Sequence, residues 1–299
     1  MFAEFMTTYA RNYTNFEERN KRFEIFVKNL KFHEEEEKRH DGLDLGVTQF
    51  SDWTDSEIRY LIPNKTMEIP ETILVANFNI QSCPENFDLR NLTKVPLIKN
   101  QGHCGSCWAF STVAAVEILI SMKKQKLVDL SEQELVDCAS QNRGCTGGRL
   151  SIAMNFVQNV GLCTEKEYQY RGVQGSICSI NRNHTRVFID GFAKLESGED
   201  SISYWVYKNG PVAFLMNTTK TLLSYRSGIF HPTSKDCHTK SFGYHAMTIV
   251  GYGVTASSKQ YWIVKNSWGA KWGENGYMRL ARGFNICGMT AYVFAPILE

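Results

Sequence analysis

Cys104 and Cys107 lie three residues apart in K-N-Q-G-H-C-G-S-C-W-A-F-S-T-V, residues 99–113, with Gln101 six residues before the second cysteine. Such a stretch can be a metal clip, half of a disulfide, a redox pair or the seat of a nucleophile. A zinc clip needs a second close pair, and Cys138 and Cys145, seven apart, fit that spacing poorly. A redox pair belongs to a thioredoxin-like strand–helix–strand setting, which does not follow here. Nucleophilic chemistry needs a base, a group that orients the base and a donor for a developing oxyanion. A free thiol, with a pKa of about 8.5, is only a few per cent thiolate at neutral pH. Cys107 at the first turn of a helix would gain from the positive end of the helix dipole, and an imidazolium nearby would help further. His245 opens an apolar strand in F-G-Y-H-A-M-T-I-V-G-Y-G. A lone histidine at a strand edge is usually structural, but K-N-S-W-G downstream adds Asn266 to hold one ring nitrogen and Trp268 to shield the ring from water.

The elements that must carry these groups fall into two stretches of different character. Residues 16–39 (FEERNKRFEIFVKNLKFHEEEEKR) are highly charged, without Gly or Pro, and apolar at Phe23, Phe26, Leu30 and Phe32. That spacing predicts a long amphipathic helix whose Glu34 to Glu37 end is solvated. A strand-like stretch (45–50), a short helix starting near Asp52 and a linker after Pro63 follow. Downstream, a helix is predicted over 106–124, with Ser106 as N-cap and Lys123 and Lys124 at its C-terminal end. The S-E-Q-E at Ser131 predicts another helix start. Short apolar runs at 212–216, 246–252, 261–265 and 277–281 predict strands. Helices first and strands later give an α+β class in two packed parts.

Across all 299 residues the formal net charge is +2 and the pI near 8.0, so no strong field points to nucleic acid or an anionic membrane surface. No run approaches the roughly 18 apolar residues of a membrane span. The N-terminus MFAEFMTTYARNY lacks the apolar core of a signal peptide, which fits a truncated chain. Nine cysteines, an odd count, suggest several disulfides plus one thiol kept for chemistry. Sequons at Asn12, Asn64, Asn91, Asn183 and Asn217 agree with an oxidising secretory route, lysosome-like or secreted, and a glycoprotein.

N-Q-G-x-C-G-S-C-W-A-F, the Y-H-A strand start and K-N-S-W-G, in this order, resemble papain-like cysteine proteases of the cathepsin L-type proenzyme kind, over nearly the whole chain. The family's cysteine signature and distant His and Asn are a known worked example of this spacing, as is papain's strongly lowered thiol pKa. The resemblance implies a papain-like two-domain fold, a helical left domain (about 81–190) and a β-barrel-like right domain (about 191–299), behind a mainly helical prodomain with linker over 1–80. It makes Cys107 the nucleophile, His245 its acid–base partner, Asn266 the residue that fixes the imidazole tautomer and Gln101 an oxyanion donor with the Cys107 N–H. Gly147 and Gly148, in C-T-G-G-R-L, would pair with extended substrate, although a glycine pair alone favours a tight turn. Leu150, Leu215, Gly243 and Ala246, with Tyr292 at the base, would line a pocket for a hydrophobic side chain two positions before the cut. Arg149 at its rim reads as solvated surface.

The family pattern also implies disulfides Cys104–Cys145, Cys138–Cys178 and Cys237–Cys287. By elimination Cys83 and Cys163 are expected to pair. Glu18, Arg22, Ile25, Phe26 and Asn29 match a cathepsin L-type propeptide helix motif, with His33 and Glu37 where Ile and Asn are expected. G-V-T-Q-F-S-D (46–52) resembles the next propeptide motif, with Thr48 replacing Asn. The prodomain is thus expected to inhibit its own chain, with the stretch from Tyr60 to Asn64 crossing the cleft, and to be cut between Lys65 and Ser82 in acid. Peptide or protein substrates and cystatin-like inhibitors are the implied partners of a monomer without cofactor or metal. The short stretch from Cys145 to Cys163 leaves little room for the occluding loop of an exopeptidase.

Overall fold

A computed structural model describes residues 1–40, 42–62, 82–181, 183–196 and 198–299 and the backbone of 75–76. The expected processing stretch lies largely outside the described residues, as does Asn64.

The N-terminal unit holds helices α1 (Phe2–Thr8), α2 (Phe16–Glu37) and α3 (Asp55–Leu61) and strand β1 (Asp44–Leu45). Helix α2 starts where expected because Asn15 Oδ1 accepts from the Glu18 N–H at 2.8 Å while Glu18 Oε2 accepts from the Thr14 N–H. Thr54 and Glu57 form a full capping box at α3. The buried stripe of α2 is Phe26, Asn29, His33 and Glu36, more polar than the periodicity implies, and Phe23 stays 47% exposed. Asn29 and Glu36 are partnered, whereas His33 Nδ1 makes no hydrogen bond among the described residues. Asn29 Nδ2 donates to the Ser51 and Trp53 carbonyls, both at 3.0 Å. Arg22 grips Glu57 with both terminal nitrogens at 2.9 and 2.7 Å. Glu36 takes Arg39 at 2.6 Å and Lys240 at 3.1 Å. The acidic end of α2 is therefore not a solvated terminus throughout, because Glu36 meets a cation of the C-terminal unit. Of the expected 45–50 strand only Leu45 lies in one, the two-residue β1, which pairs with 225–227. Tyr60 and Leu61 are helical and Ile62 caps α3, so the described part of the expected cleft-crossing segment ends a helix.

After β2 (Val75–Ala76) and β3 (Phe87–Asp88) come α4 (Cys107–Lys124), α5 (Glu132–Cys138) and α6 (Leu150–Asn159). Helix α4 is buried almost all round, from Cys107 through Ser121, as expected of a helix at the centre of a core. The second half holds β4 (Gly191–Leu195), α7 (Glu199–Lys208), β5 (Val212–Thr219), α8 (Lys220–Leu223), β6 (Tyr225–Ser227), β7 (Ile229–Phe230), α9 (Ser234–Thr239), β8 (Ser241–Val254), β9 (Gln260–Lys265), β10 (Tyr277–Ala281) and β11 (Tyr292–Ile297). The main sheet runs β2-β4-β11-β5-β8-β9-β10-β7, with β3 on β8. The α+β class stands.

One apolar cluster joins Leu45, Phe50, Trp53, Ile58 and Leu61 of the N-terminal unit to Tyr225, Trp268 and Trp272 of the β half. A second fills the helical half around α4 and reaches Leu215, Ala246 and Phe294. The two halves also meet at a buried ionic cluster that sequence reading missed. Lys99 Nζ touches Glu117 at 3.0 Å, Glu132 at 2.9 Å and Asp129 at 2.8 Å. Burial alone would depress the Lys99 pKa, but Glu132 and Glu117 outweigh it and hold it above the ordinary lysine value. Lys265 reaches the Leu97 carbonyl at 2.9 Å. Replacing Lys99 with methionine strands two buried carboxylates and should cost about 3–5 kcal/mol. A lower urea midpoint at unchanged slope is the expected measurement.

Three disulfides form, Cys104–Cys145, Cys138–Cys178 and Cys237–Cys287. The fourth does not. Cys83 packs on the β-half core beside the Tyr252 hydroxyl, whereas Cys163 sits against Glu134 in the helical half. Burial and Glu134 push the Cys163 thiol up to about 12.

Candidate active site

The site lies at the seam of the two halves. Cys107 is the first residue of α4 and 3% exposed. Its N-cap, Ser106, spends its hydroxyl on Tyr170 at 2.7 Å and leaves the α4 amides without a side-chain cap. The N–H groups of Ala246 and Trp108 donate toward the Cys107 sulfur. Ala246 follows His245 in β8, so the Cys107 sulfur of one half touches the strand that carries His245 in the other. His245 is fully buried, with Nε2 at 2.8 Å from Asn266 Oδ1. Asn266 Oδ1 also accepts from the Ser267 N–H at 2.8 Å, which fixes the amide's orientation. Trp268 stacks on the imidazole with centroids 4.4 Å apart. His245 Nδ1 makes no hydrogen bond among the described residues.

Gln101 is pinned to the same segment. Its N–H donates to the Ser267 carbonyl at 2.9 Å, and the Ser267 hydroxyl donates to its Oε1 at 2.7 Å. One hydrogen of its amide goes to the Cys104 carbonyl at 2.9 Å. All four residues singled out for chemistry thus converge on one seam. Gly147 has φ near 110°, and a Cβ on Gly148 would lie 2.4 Å from the Trp108 ring. The first needs glycine's backbone freedom and the second its lack of a side chain. Leu215 sits opposite Ala246 in β8 and Tyr292 in β11, and Leu150 joins the same cluster.

Electrostatics in the closed chain run against the charges expected from sequence. Burial pushes the Cys107 thiol up to about 11 despite the neighbouring N–H groups. Burial likewise pulls His245 down to about 4, with Asn266 opposing. At neutral pH both groups are uncharged here, because a buried site penalises the ionised form of each. The thiolate–imidazolium pair is not the state of this closed form.

The closure itself was not foreseen residue by residue. Phe50 packs edge-on against Trp268 at 5.0 Å, and Gln49 Nε2 donates to the Trp268 carbonyl. Trp53 stacks on His103, 4.5 Å apart. Thr48 Oγ1 donates to the Leu223 carbonyl at 2.8 Å. A cavity of about 400 Å³ remains beside them, edged by Tyr9, Arg11, Asn100 and Lys271. The G-V-T-Q-F-S-D motif signalled that this loop matters, but not that it reaches Trp268.

A helix-borne thiol, Cys107, and an asparagine-held imidazole, His245, lie at the seam between a helical and a β half. The family model for Papain family cysteine protease matches residues 83–297, and that for Cathepsin propeptide inhibitor domain matches 2–58. Fruit bromelain of Ananas comosus is 36% identical over all of this chain and 86% of its own length. Digestive procathepsin L2 from Tenebrio molitor larval midgut superposes with a TM-score of 0.90 at 33% identity, over 99% of this chain and 98% of that one. The recombinant stem bromelain precursor gives 0.88 at 35% identity, over 100% and 98%. The chain belongs to the papain family of cysteine proteases, in a zymogen form with its propeptide inhibitor domain attached.

Proposed function

We propose that Cys107 attacks the scissile carbonyl of a peptide and that His245 takes its proton and then returns it to the leaving amine. Asn266 holds the ring in the tautomer that this exchange requires. Gln101 and the Cys107 N–H donate to the oxyanion, each such donor supplying about 3–4 kcal/mol in the transition state. The convergence of Cys107, His245, Asn266 and Gln101 at one seam carries the reading. Gly147 and Gly148 would receive extended substrate, and Leu150, Leu215, Ala246 and Tyr292 favour an apolar side chain two positions before the cut. Trp268, once uncovered, shields the His245–Asn266 bond. The mature enzyme would begin near residue 81, after a cut within 65–82. The three disulfides fit an oxidising compartment, lysosome-like or extracellular. Asn12, Asn91 and Asn183 are exposed sequons open to glycans.

Acid release follows from one residue in particular. Arg22 and the capping contacts overcome burial and hold Glu57 down to about 2, and Lys240 likewise outweighs burial to keep Glu36 below its ordinary value. Glu57 therefore stays ionised at pH 4–5, and Glu36 resists protonation more than a free glutamate does. Asp52 is raised by burial, so taking up a proton would favour the docked form. His33 behaves oppositely. Burial and then Lys220 lower it to about 4, whereas an exposed histidine titrates near 6.5. The undocked form therefore binds more protons as pH falls from about 6.5 to 4, and docking weakens by up to about 3 kcal/mol across that window. Processing of the intact chain should be negligible at pH 7 and rapid near pH 4–5, followed by peptide hydrolysis. His33→Leu should slow it at pH 5 on the order of tenfold. Full activity of the intact chain at pH 7 would defeat the zymogen mechanism, and an unaltered His33→Leu profile would remove His33 from it.

A further inference from the structure

The thiol left over from the missing fourth disulfide is not alone. Cys163, Glu167 and His184 bring a sulfur, a carboxylate oxygen and an imidazole nitrogen within 4.8 Å of one another. They come from two segments of the helical half that are laced together. Leu162 and Val187 exchange backbone hydrogen bonds at 2.9 Å, and Leu130 pairs with Thr164. We propose that Cys163, Glu167 and His184 bind a zinc-type divalent cation, through one thiolate, one carboxylate and one imidazole.

The donor set suits the ion. Zinc accepts Cys, His and carboxylate ligands at about 2.0–2.3 Å, and three protein ligands leave a fourth position for water. Closing the present separations to that geometry needs about 1 Å of movement, within reach of side-chain rotation at exposed Glu167 and half-buried His184. The buried ligand is held on both sides of its backbone. The Cys163 N–H donates to Glu134 Oε2 at 2.9 Å, and its carbonyl accepts from Ser131 at 3.1 Å. Glu167 is steadied by the Thr164 N–H at 3.0 Å and hydroxyl at 2.8 Å. Glu134 lies behind the sulfur as an outer carboxylate of the kind that supports metal ligands. The nearest cation, Arg186, is engaged by Glu134 at 2.7 Å and by the Val160 and Gly161 carbonyls. Binding would release the thiol proton to solvent and replace it with the metal. It would tie 163–167 to the 184 loop, doing by coordination what the expected Cys83–Cys163 bridge does not do. The sequence reading expects no metal, and these ligands, at 163, 167 and 184, match no close-pair motif.

The test uses the full chain carrying Cys107→Ala, stripped with a chelator and titrated with Co²⁺ alone. A thiolate-to-cobalt charge-transfer band in the near ultraviolet should saturate at one ion per chain, and Zn²⁺ should displace it and raise the melting temperature. Cys163→Ser should abolish the band. His184→Ala, at a half-buried side chain outside the core clusters, should weaken binding at least about tenfold. Cys83→Ser should change neither signal. Absence of the band together with no Zn²⁺-dependent rise in melting temperature would overturn the proposal. So would a band that survives Cys163→Ser, or binding that His184→Ala leaves unchanged.

Discussion

Cys107→Ala should lower peptide hydrolysis by at least about 10⁴-fold and leave the chain uncleaved at full length after incubation at pH 4–5. The loss is expected to be this large because, in the proposed mechanism, the thiol forms the bond to the substrate carbonyl. His245 has nothing to activate without it, and removing either member of such a unit costs nearly as much as removing both. The same substitution takes one sulfur from a buried site. The fold should therefore survive, with the disulfide-linked Cys104 loop and α4 in place. Hydrolysis by the variant within tenfold of the parent would mean that another group is the nucleophile.

Phe50→Ala should open the cleft of the intact chain at neutral pH. Phe50 is 5% exposed, edge-on to Trp268 at 5.0 Å and to Trp53 at 5.1 Å. Truncating a buried phenylalanine costs about 3–5 kcal/mol, here drawn from the contact that seats the prodomain on the tryptophan covering His245. The open fraction should rise by roughly 10²–10³-fold, read as the initial rate of Cys107 alkylation at pH 7. Phe16→Ala, at a side chain 72% exposed on the same unit, should leave that rate unchanged. Equal rates for the parent and Phe50→Ala would place the seal elsewhere.

Much of this arrangement could be read from the chain itself where the signal is local. Helix α4 and strand β10 fall where their patterns place them, because apolar spacing and end residues decide short elements. The convergence of Cys107, His245, Asn266 and Gln101 came from motif resemblance, since no periodicity links residues over 160 positions apart. What escaped depends on partners far along the chain. Glu36 looks like solvated surface until Lys240 is folded onto it. His33 departs from the propeptide pattern, but its burial against Lys220 follows only from docking. The Lys99 cluster was invisible because Glu117 sits in an otherwise apolar helix and Glu132 in an apparently exposed capping turn. The pairing of Cys83 with Cys163 failed for a related reason. Elimination counts thiols, whereas a disulfide needs Cα atoms within about 7 Å, and Cys83 packs on the β-half core while Cys163 sits against Glu134 in the helical half.

The account turns on a cleft whose thiol and imidazole are both neutral while the prodomain is docked. Burial holds Cys107 near 11 and His245 near 4 in that state; opening the cleft to water and substrate removes the penalty and lets the ion pair form. The rate of Cys107 alkylation against pH, measured on the intact chain and on acid-processed enzyme, tests this most directly. The intact chain should react slowly through neutral pH and faster only toward high pH. The processed enzyme should react rapidly at pH 5–7, at a single site lost in Cys107→Ala. Superimposable profiles, with the intact chain fully reactive at neutral pH, would contradict it.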